Sequence, residues 1–418
     1  MVVEIPYTPR PLQRDIHAAL DSHRFSVAVC HRRFGKTVLA VNHLIKETIR
    51  CKRERPRFAY VSPTYRQGKS IAWDYIKHYA GVIPGVKFNE QELRCDIGER
   101  RVQIFGADNP DALRGIYLDG VVLDEYALMQ GRVFTEVIRP ALTDREGWAL
   151  FIGTPNGQNA FKEIRDEAAK GNNGWYLATY KASETGIIEE RELKAARDMM
   201  SDSEFKQEFE CSFEASIRGA IYGNELEAAR EGKRITDVPW VQDVGVHTYW
   251  DLGVGDSTAI WFAQLVNQEI RFIDYYENSG EGLAHYAKVL QNKNYVYSTH
   301  NAPFDIEVKE FGSGKTRKEM AQSLGINFEV APKMGLEDGI NAARTVFNRC
   351  WFDKEKCKDG IEALQNYRRD YNTRIDEFKA SPLHDWASHG ADAFRYFAVS
   401  YKTPQKKQEI KYPNLGMV

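Results

Sequence analysis

The sequence is short of several features that would narrow its function at a glance. Its six cysteines, at 30, 51, 95, 211, 350 and 357, form no CxxC pair and show no zinc spacing. A disulfide framework or a zinc module is therefore not what organises the chain, and free thiols in a reducing compartment are expected. No stretch approaches the roughly 18 apolar residues that a membrane span needs. Residues Met1 to Arg10 lack the apolar core of a secretion signal. A soluble intracellular protein with no membrane partner is the expectation. Nor does either sign of charge dominate: 57 basic residues stand against 59 acidic ones, a net of −2. That excludes a globally basic nucleic-acid binder. Any DNA-binding surface must be a local patch, offset elsewhere by acidic residues, and an acidic metal site is one such offset. No internal repeat is visible.

What is present suffices for two hydrophobic cores in 418 residues. The first half alternates apolar runs with helical stretches. Strands are expected at Phe25–Cys30, Arg57–Ser62, Val102–Ala107, Gly120–Asp124, Trp148–Gly153 and Trp175–Tyr180, with a helix over Thr37–Arg50. Near-continuous apolar strands separated by helices predict a parallel α/β sheet covered on both faces. Residues 215–240 lose this periodicity and hold Gly219, Gly223, Gly232 and Pro239. The expected organisation is an α/β domain over 1–214, a linker over 215–240, a second domain over 241–402 and a flexible tail over 403–418. The second domain opens as an antiparallel meander (His247–Asp251, Thr258–Val266, Glu269–Glu277). Strands at Tyr295–His300 and Ile326–Ala331 follow, with helices near 282–291, 337–350 and 385–400.

After the first strand comes Cys30-His-Arg-Arg-Phe-Gly-Lys-Thr37. Strand, tight loop and a helix opening at Gly-Lys-Thr is the layout of a phosphate cradle, in which backbone N–H groups and the helix dipole face an anion. Gly35 belongs to that turn. Lys36 would reach the β- and γ-phosphates of ATP and the Thr37 hydroxyl would hold Mg²⁺. Cys30 departs from the pattern by replacing the first glycine. A later Gly312-Ser-Gly-Lys-Thr316 follows no strand and is expected to be a basic hairpin or loop. Val121-Val-Leu-Asp-Glu125 completes the first site: Asp124 at the end of an apolar strand would hold Mg²⁺ through water, and Glu125 would orient and deprotonate the attacking water. This strand is expected to lie next to that of the phosphate loop. Gly153-Thr-Pro155 ends the next strand, where a hydroxyl could register the γ-phosphate. Gln13 either reads adenine or is merely solvated.

Gln13, His31–Thr37, Leu123–Glu125 and Gly153–Pro155, in that order, resemble the motifs of terminase large subunits, the motor-nucleases that package DNA in tailed bacteriophages. Leu113-Arg-Gly115 and Ile138-Arg-Pro-Ala-Leu142 look similar too. The resemblance implies a motor that translocates double-stranded DNA into a procapsid and cuts concatemers. It implies a homo-oligomeric ring, a portal protein and a small terminase subunit as partners, and action in the host cell cytoplasm. It also implies an arginine finger supplied to a neighbouring subunit. By position Arg139 is the candidate, with an ordinary surface arginine as the alternative and Arg32 or Arg33 as groups acting within the subunit.

In the second half the telling residues are carboxylates. Asp251 ends a strand, Asp305 follows one, and Asp392 lies in the last helical stretch. A meander with a strand-end Asp and a helical Asp is the pattern of an RNase H-like nuclease, in which converging carboxylates hold two Mg²⁺ or Mn²⁺ ions about 4 Å apart. Asp385, His389 and Asp392 share a helix face. Asp385 and Asp392 are separated by roughly 10 Å of rise, so both cannot bind one ion. Asp392 is the expected ligand and His389 a further ligand or proton shuttle. Asp385 is a weaker candidate that a helix cap would also explain. Terminase nuclease domains resemble the chain at Trp250-Asp251, Pro303–Asp305 and His389–Tyr396, although Phe304 stands where many relatives carry histidine. Basic clusters at Arg50–Arg57 and at Lys309–Lys318 are candidate grips on DNA phosphates. The lysine-bearing tail is a candidate contact for the portal. A helicase-nuclease of DNA repair is the competing reading, but 241–418 shows no second motor domain. An inactive binding scaffold fits poorly with intact Lys36, Asp124 and Glu125.

Overall fold

The computed structural model of the protein describes residues 4–171, 174–214, 217, 219–253, 257–309, 314–372 and 377–401. The chain divides into two compact units, one made of Met1–Gly223 and Ile361–Ser388, the other of Asn224–Gly360 and His389–Val418. The expected tail, 403–418, lies outside the described residues.

The first unit is built on eight strands: β1 Phe25–Cys30, β2 Arg57–Ser62, β3 Val86–Asn89, β4 Arg94–Ile97, β5 Arg100–Gly106, β6 Gly120–Asp124, β7 Trp148–Gly153 and β8 Trp175–Tyr180. Their order is β3-β4-β5-β2-β6-β7-β1-β8. From β5 to β8 every pairing is parallel. The strands β1 and β6 are buried at every position. Such strands cannot face water on either side, so apolar layers cover both faces. The helix Lys36–Arg50 seals one face with Leu39, Val41, Leu44 and Ile45. Phe151, Phe161, Phe134 and Tyr126 fill the other. This is a P-loop NTPase-type sheet. Two features differ from expectation. The antiparallel β3–β4 hairpin lies outside the expected strands, because its two strands are only four residues long and half-polar, too short for their alternation to stand out. And β6 is not beside β1: β7 lies between them. Thr154 therefore follows the strand that separates the phosphate loop from Asp124.

The second unit carries β9 Ile235–Thr236, β10 Val246–Asp251, β11 Ser257–Val266, β12 Glu269–Ser279, β13 Tyr297–Ala302, β14 Phe328–Val330 and β15 Cys350–Asp353, in the order β14-β13-β10-β11-β12-β15-β9. The expected meander is present as antiparallel β10–β11–β12, extended by parallel partners on both sides. This is the mixed sheet of an RNase H-like unit. One face packs Trp250, Phe262, Tyr286 and Phe328. On the other lies the final helix, Trp386–Ser400, whose later turns belong to this unit. Ala391 and Ala393 are fully buried there, and the Trp261 indole N–H donates to the Gly390 carbonyl at 2.8 Å. Small residues let the helix axis come down onto the aromatic floor of Trp261 and Phe272, against which the helix's own Phe394 packs.

The sequence places Ile361–Ser388 in the second domain, but in the structure it packs with the first unit. It contains a helix end and the antiparallel pair β16 Arg369–Asn372 and β17 Glu377–Pro382. Its ties are specific. Ile221 N–H donates to the Tyr367 carbonyl and Arg369 N–H to the Gly219 carbonyl, both at 2.9 Å. The Gly131 N–H donates to Glu362 Oε2 at 3.3 Å, and the Trp386 indole N–H to the Leu128 carbonyl at 3.1 Å. Gly219 has φ +73, and a Cβ there would sit 2.5 Å from the Phe378 ring, so only glycine fits.

Candidate active sites

The first site gathers at the C-terminal ends of β1, β6 and β7. Gly35, at φ +93, turns the chain from β1 into the helix Lys36–Arg50. That leaves the helix N-terminus open with its N–H groups facing outward. Lys36 Nζ lies back along the loop, donating to the Cys30 and His31 carbonyls at 3.3 and 3.4 Å and to Thr154 Oγ1 at 2.9 Å. Thr37 Oγ1 donates to Asp124 Oδ2 at 3.3 Å. A hydroxyl and a carboxylate side by side are hard oxygen donors of the kind Mg²⁺ takes, so this pair fits that ion. Burial and the neighbouring Glu125 charge push the Asp124 carboxyl up to about 6. Hydrogen bonds from Tyr60 and Thr37 and the Lys36 charge oppose that shift.

Glu125 sits at φ 51, a left-handed conformation that costs a non-glycine residue about 1–3 kcal/mol. The strain aims its carboxylate at the phosphate loop: Oε1 is 3.9 Å from Lys36 Nζ, and Oε2 accepts from the Thr154 N–H at 3.4 Å. The Glu125 side chain is 42% exposed, so the ion pair adds little stability, and its placement is better read as chemical. Arg32, Arg33, Lys36, Thr37, Glu125 and Thr154 line one cleft of about 820 Å³. Arg32 Nη1 is 3.5 Å from Glu208. Gln13 is buried, its amide accepting from the Arg10 N–H at 2.9 Å and donating to the Gly35 carbonyl at 3.3 Å. Its observed contacts brace the loop. Arg139 is not among the groups lining this cleft. Its guanidinium stacks on Phe25, at the far end of β1 from the loop. Arg139 thus stands apart from Lys36 and Thr37.

The second site lies in the second unit. Asp251 ends β10 and His389 Nδ1 stands 3.5 Å from its Oδ2. Burial pushes the Asp251 carboxyl up to about 6, His389 pulls it down, and the charges of Asp392 and Asp305 push it up. Three acidic groups and a histidine thus meet within electrostatic reach, though they come from a strand, a 3₁₀ turn (Phe304–Glu307) and a helix. A carboxyl pushed up by burial and by two neighbouring acids is one that a bound divalent ion would return to its anionic form. Asp305 is exposed. Asp392 Oδ1 accepts from Arg395 Nε at 3.1 Å, one turn along the helix. Gly339 makes room for that arginine: a Cβ there would lie 2.8 Å from the Arg395 side chain. Asp385 is engaged elsewhere, accepting from the Ala387 N–H at 3.0 Å and pairing with Arg368 at 3.1 Å, as a helix cap would.

Sequence reasoning missed Tyr60, whose hydroxyl donates to Asp124, and His31, fully buried with its Nε2 2.9 Å from Thr185. It also missed Arg395, although the Asp-x-x-Arg spacing on a helix could have revealed it. The first basic cluster is largely structural: Arg53 pairs with buried Asp119 at 3.1 Å, and Arg57 donates to the Glu99 carbonyl at 2.8 Å. In the second, Lys318 pairs with Glu307 at 3.0 Å. Thr316, of the second Gly-Lys-Thr, caps a short helix with Glu319 and pairs with Lys309 in an isolated antiparallel bridge. Residues 310–313 of that stretch lie outside the described residues.

No family model matches the chain. It is 25% identical over 412 residues to the terminase large subunit of Escherichia phage T5, covering 93% of this chain and 90% of that protein. It is 28% identical over 254 residues to the terminase large subunit of Thermus virus P23-45, covering 53% and 52%. Among solved structures, the large terminase of the bacteriophage HK97 aligns over 94% of this chain and 95% of its own, at 12% identity and a TM-score of 0.40. Among the described residues no helix is long and apolar enough to cross a membrane. Phosphate loop, strand-end carboxylates and a sequence alignment that runs nearly from end to end make this chain a relative of phage terminase large subunits.

Proposed function

We propose that the protein is the motor and nuclease of a viral DNA-packaging machine, hydrolysing ATP to move double-stranded DNA into a procapsid and cutting concatemers at a second, two-metal site. The observation that carries this is the presence of two separate acidic sites in one chain: Asp124 and Glu125 beside a phosphate loop, and Asp251 at the end of β10 within electrostatic reach of Asp305 and Asp392. In the first, Lys36 neutralises the β- and γ-phosphates, while Thr37 and Asp124 hold Mg²⁺. Glu125 orients the attacking water and takes its proton. Thr154 is bonded to Lys36 and, through its N–H, to Glu125, so it is placed to register loss of the γ-phosphate. Arg32 and Arg33 act within the subunit. Arg139, remote from its own loop, acts as a finger on a neighbouring subunit of a ring.

In the second site Asp251, Asp305 and Asp392 hold Mg²⁺ or Mn²⁺. The bound ions would activate water and stabilise the leaving oxygen. His389 orients Asp251 and carries protons. Arg395 fixes the Asp392 carboxylate, which keeps one lobe directed before metal arrives. A portal protein, a small terminase subunit and the host cytoplasm complete the setting, by analogy with the relatives.

A crystal soaked in manganese tests the second site. Anomalous peaks bounded by Asp251, Asp305 and Asp392, with manganese-dependent nicking of plasmid, are expected. Manganese bound elsewhere, with those three side chains turned apart, would refute it.

A further inference from the structure

The cleft that holds the phosphate loop has a second wall. Beside Arg32–Thr37, Glu125 and Thr154 it is lined by Arg368, Arg369, Asp370, Phe378 and Leu383. These come from the segment that follows the nuclease strands in sequence and folds onto the first unit. Its position is secured from both ends. Glu362 holds the Gly131 N–H and Trp386 holds the Leu128 carbonyl, so the segment grips the loop that leaves Glu125.

We infer that Arg369 is a nucleotide-positioning residue of the ATPase site, contacting the phosphate tail of bound ATP from the β16–β17 hairpin in the same subunit. This rests on the ATPase reading above. Its place in the cleft wall and its anchorage carry the inference. The Arg369 N–H donates to the Gly219 carbonyl at 2.9 Å, which fixes its backbone to the first unit. Its Nη1 donates to the Ala380 carbonyl at 3.0 Å, across its own hairpin. A guanidinium has five N–H donors in one rigid plane, so such a bond orients the fork. An oriented, permanently charged fork suits phosphate oxygens. Arg368, next to Arg369 in the chain, pairs with Asp385 at 3.1 Å and so holds the start of the last helix. The end of the nucleotide that Arg369 meets follows from the groups that share its cleft: Lys36, Glu125 and Thr154 mark the γ-phosphate end. Arg369 therefore contacts the terminal phosphates, and distinguishes ATP from ADP.

The test measures ATP turnover and the binding of ATPγS and ADP in the full-length chain. Arg369→Ala and Arg369→Gln should raise KM for ATP about tenfold, with a smaller change in kcat. Affinity for ATPγS should fall more than that for ADP, and Arg369→Lys should recover part of the loss. Glutamine can still donate to the Ala380 carbonyl, so it decides the matter if the alanine variant does not fold. Wild-type KM and wild-type ATPγS affinity in Arg369→Gln would overturn the inference, provided Lys36→Ala abolishes binding in the same assay. Failure of the unmodified chain to bind either nucleotide would instead remove the ATPase reading on which it stands.

Discussion

Tyr60 bears on the ATPase site through a single atom. Its hydroxyl donates to buried Asp124 and favours the anion against burial and the push of Glu125. Tyr60→Phe removes that donor and leaves the ring in place. A hydrogen bond to a charged group contributes about 1.5–3 kcal/mol, so kcat/KM for ATP should fall about tenfold and the Mg²⁺ requirement should rise. Steady-state ATPase assays across a magnesium series would show it; unchanged kinetics would mean that Thr37 and Lys36 suffice. The case also shows which residues are legible beforehand. Lys36, Asp124 and Glu125 stand out because contiguous motifs announce them. Tyr60 reads as one more core aromatic in β2, since its partner is far along the chain. Asp251 and Asp392 are legible as strand-end and helical carboxylates, but Arg395 and the braced amide of Gln13 depend on neighbours that periodicity does not reveal.

At the scale of elements, the helices Pro11–Leu20 and Lys36–Arg50 meet through two histidines. His17 and His43 stack with ring centroids 5.3 Å apart and their Nδ1 atoms at 3.1 Å, while the other nitrogen of His17 is 3.0 Å from the Tyr7 hydroxyl. Burial, with the nearby Lys46 charge, pushes His17 down to about 4 and holds His43 well below its usual value, although Asp21 acts the other way on His17. Both rings are neutral when folded and gain protons on unfolding. Stability from this contact is therefore present above the unfolded pKa near 6.5, is lost as pH falls toward about 4, and falls no further below that. For His17 alone the loss between pH 8 and pH 5 is about 2 kcal/mol. Urea unfolding of the wild type should weaken over that range by at least this much more than His17→Gln. Parallel pH profiles would show the pair to be charged when folded. The same scale explains where sequence and fold part. Apolar runs locate the six parallel strands, but the β3–β4 hairpin is half-polar, and the insertion of β7 between β1 and β6 is a matter of order, which strand patterns do not encode.

For the whole molecule, the two-part design is legible because the halves have different grammars, alternating helices and buried strands first, then a meander. The boundary is not. Ile361–Ser388 follows strands of the second sheet in sequence yet packs on the first unit, held by backbone pairing with Gly219 and Ile221 that leaves no compositional trace. The account stands on two chemically independent centres in one chain, and a pair of variants tests it most directly. Glu125→Ala should reduce ATP turnover by at least about a hundredfold while sparing metal-dependent nicking of plasmid DNA, and Asp251→Ala should do the reverse. Loss of both activities in either variant, with the protein still folded by circular dichroism, would contradict it.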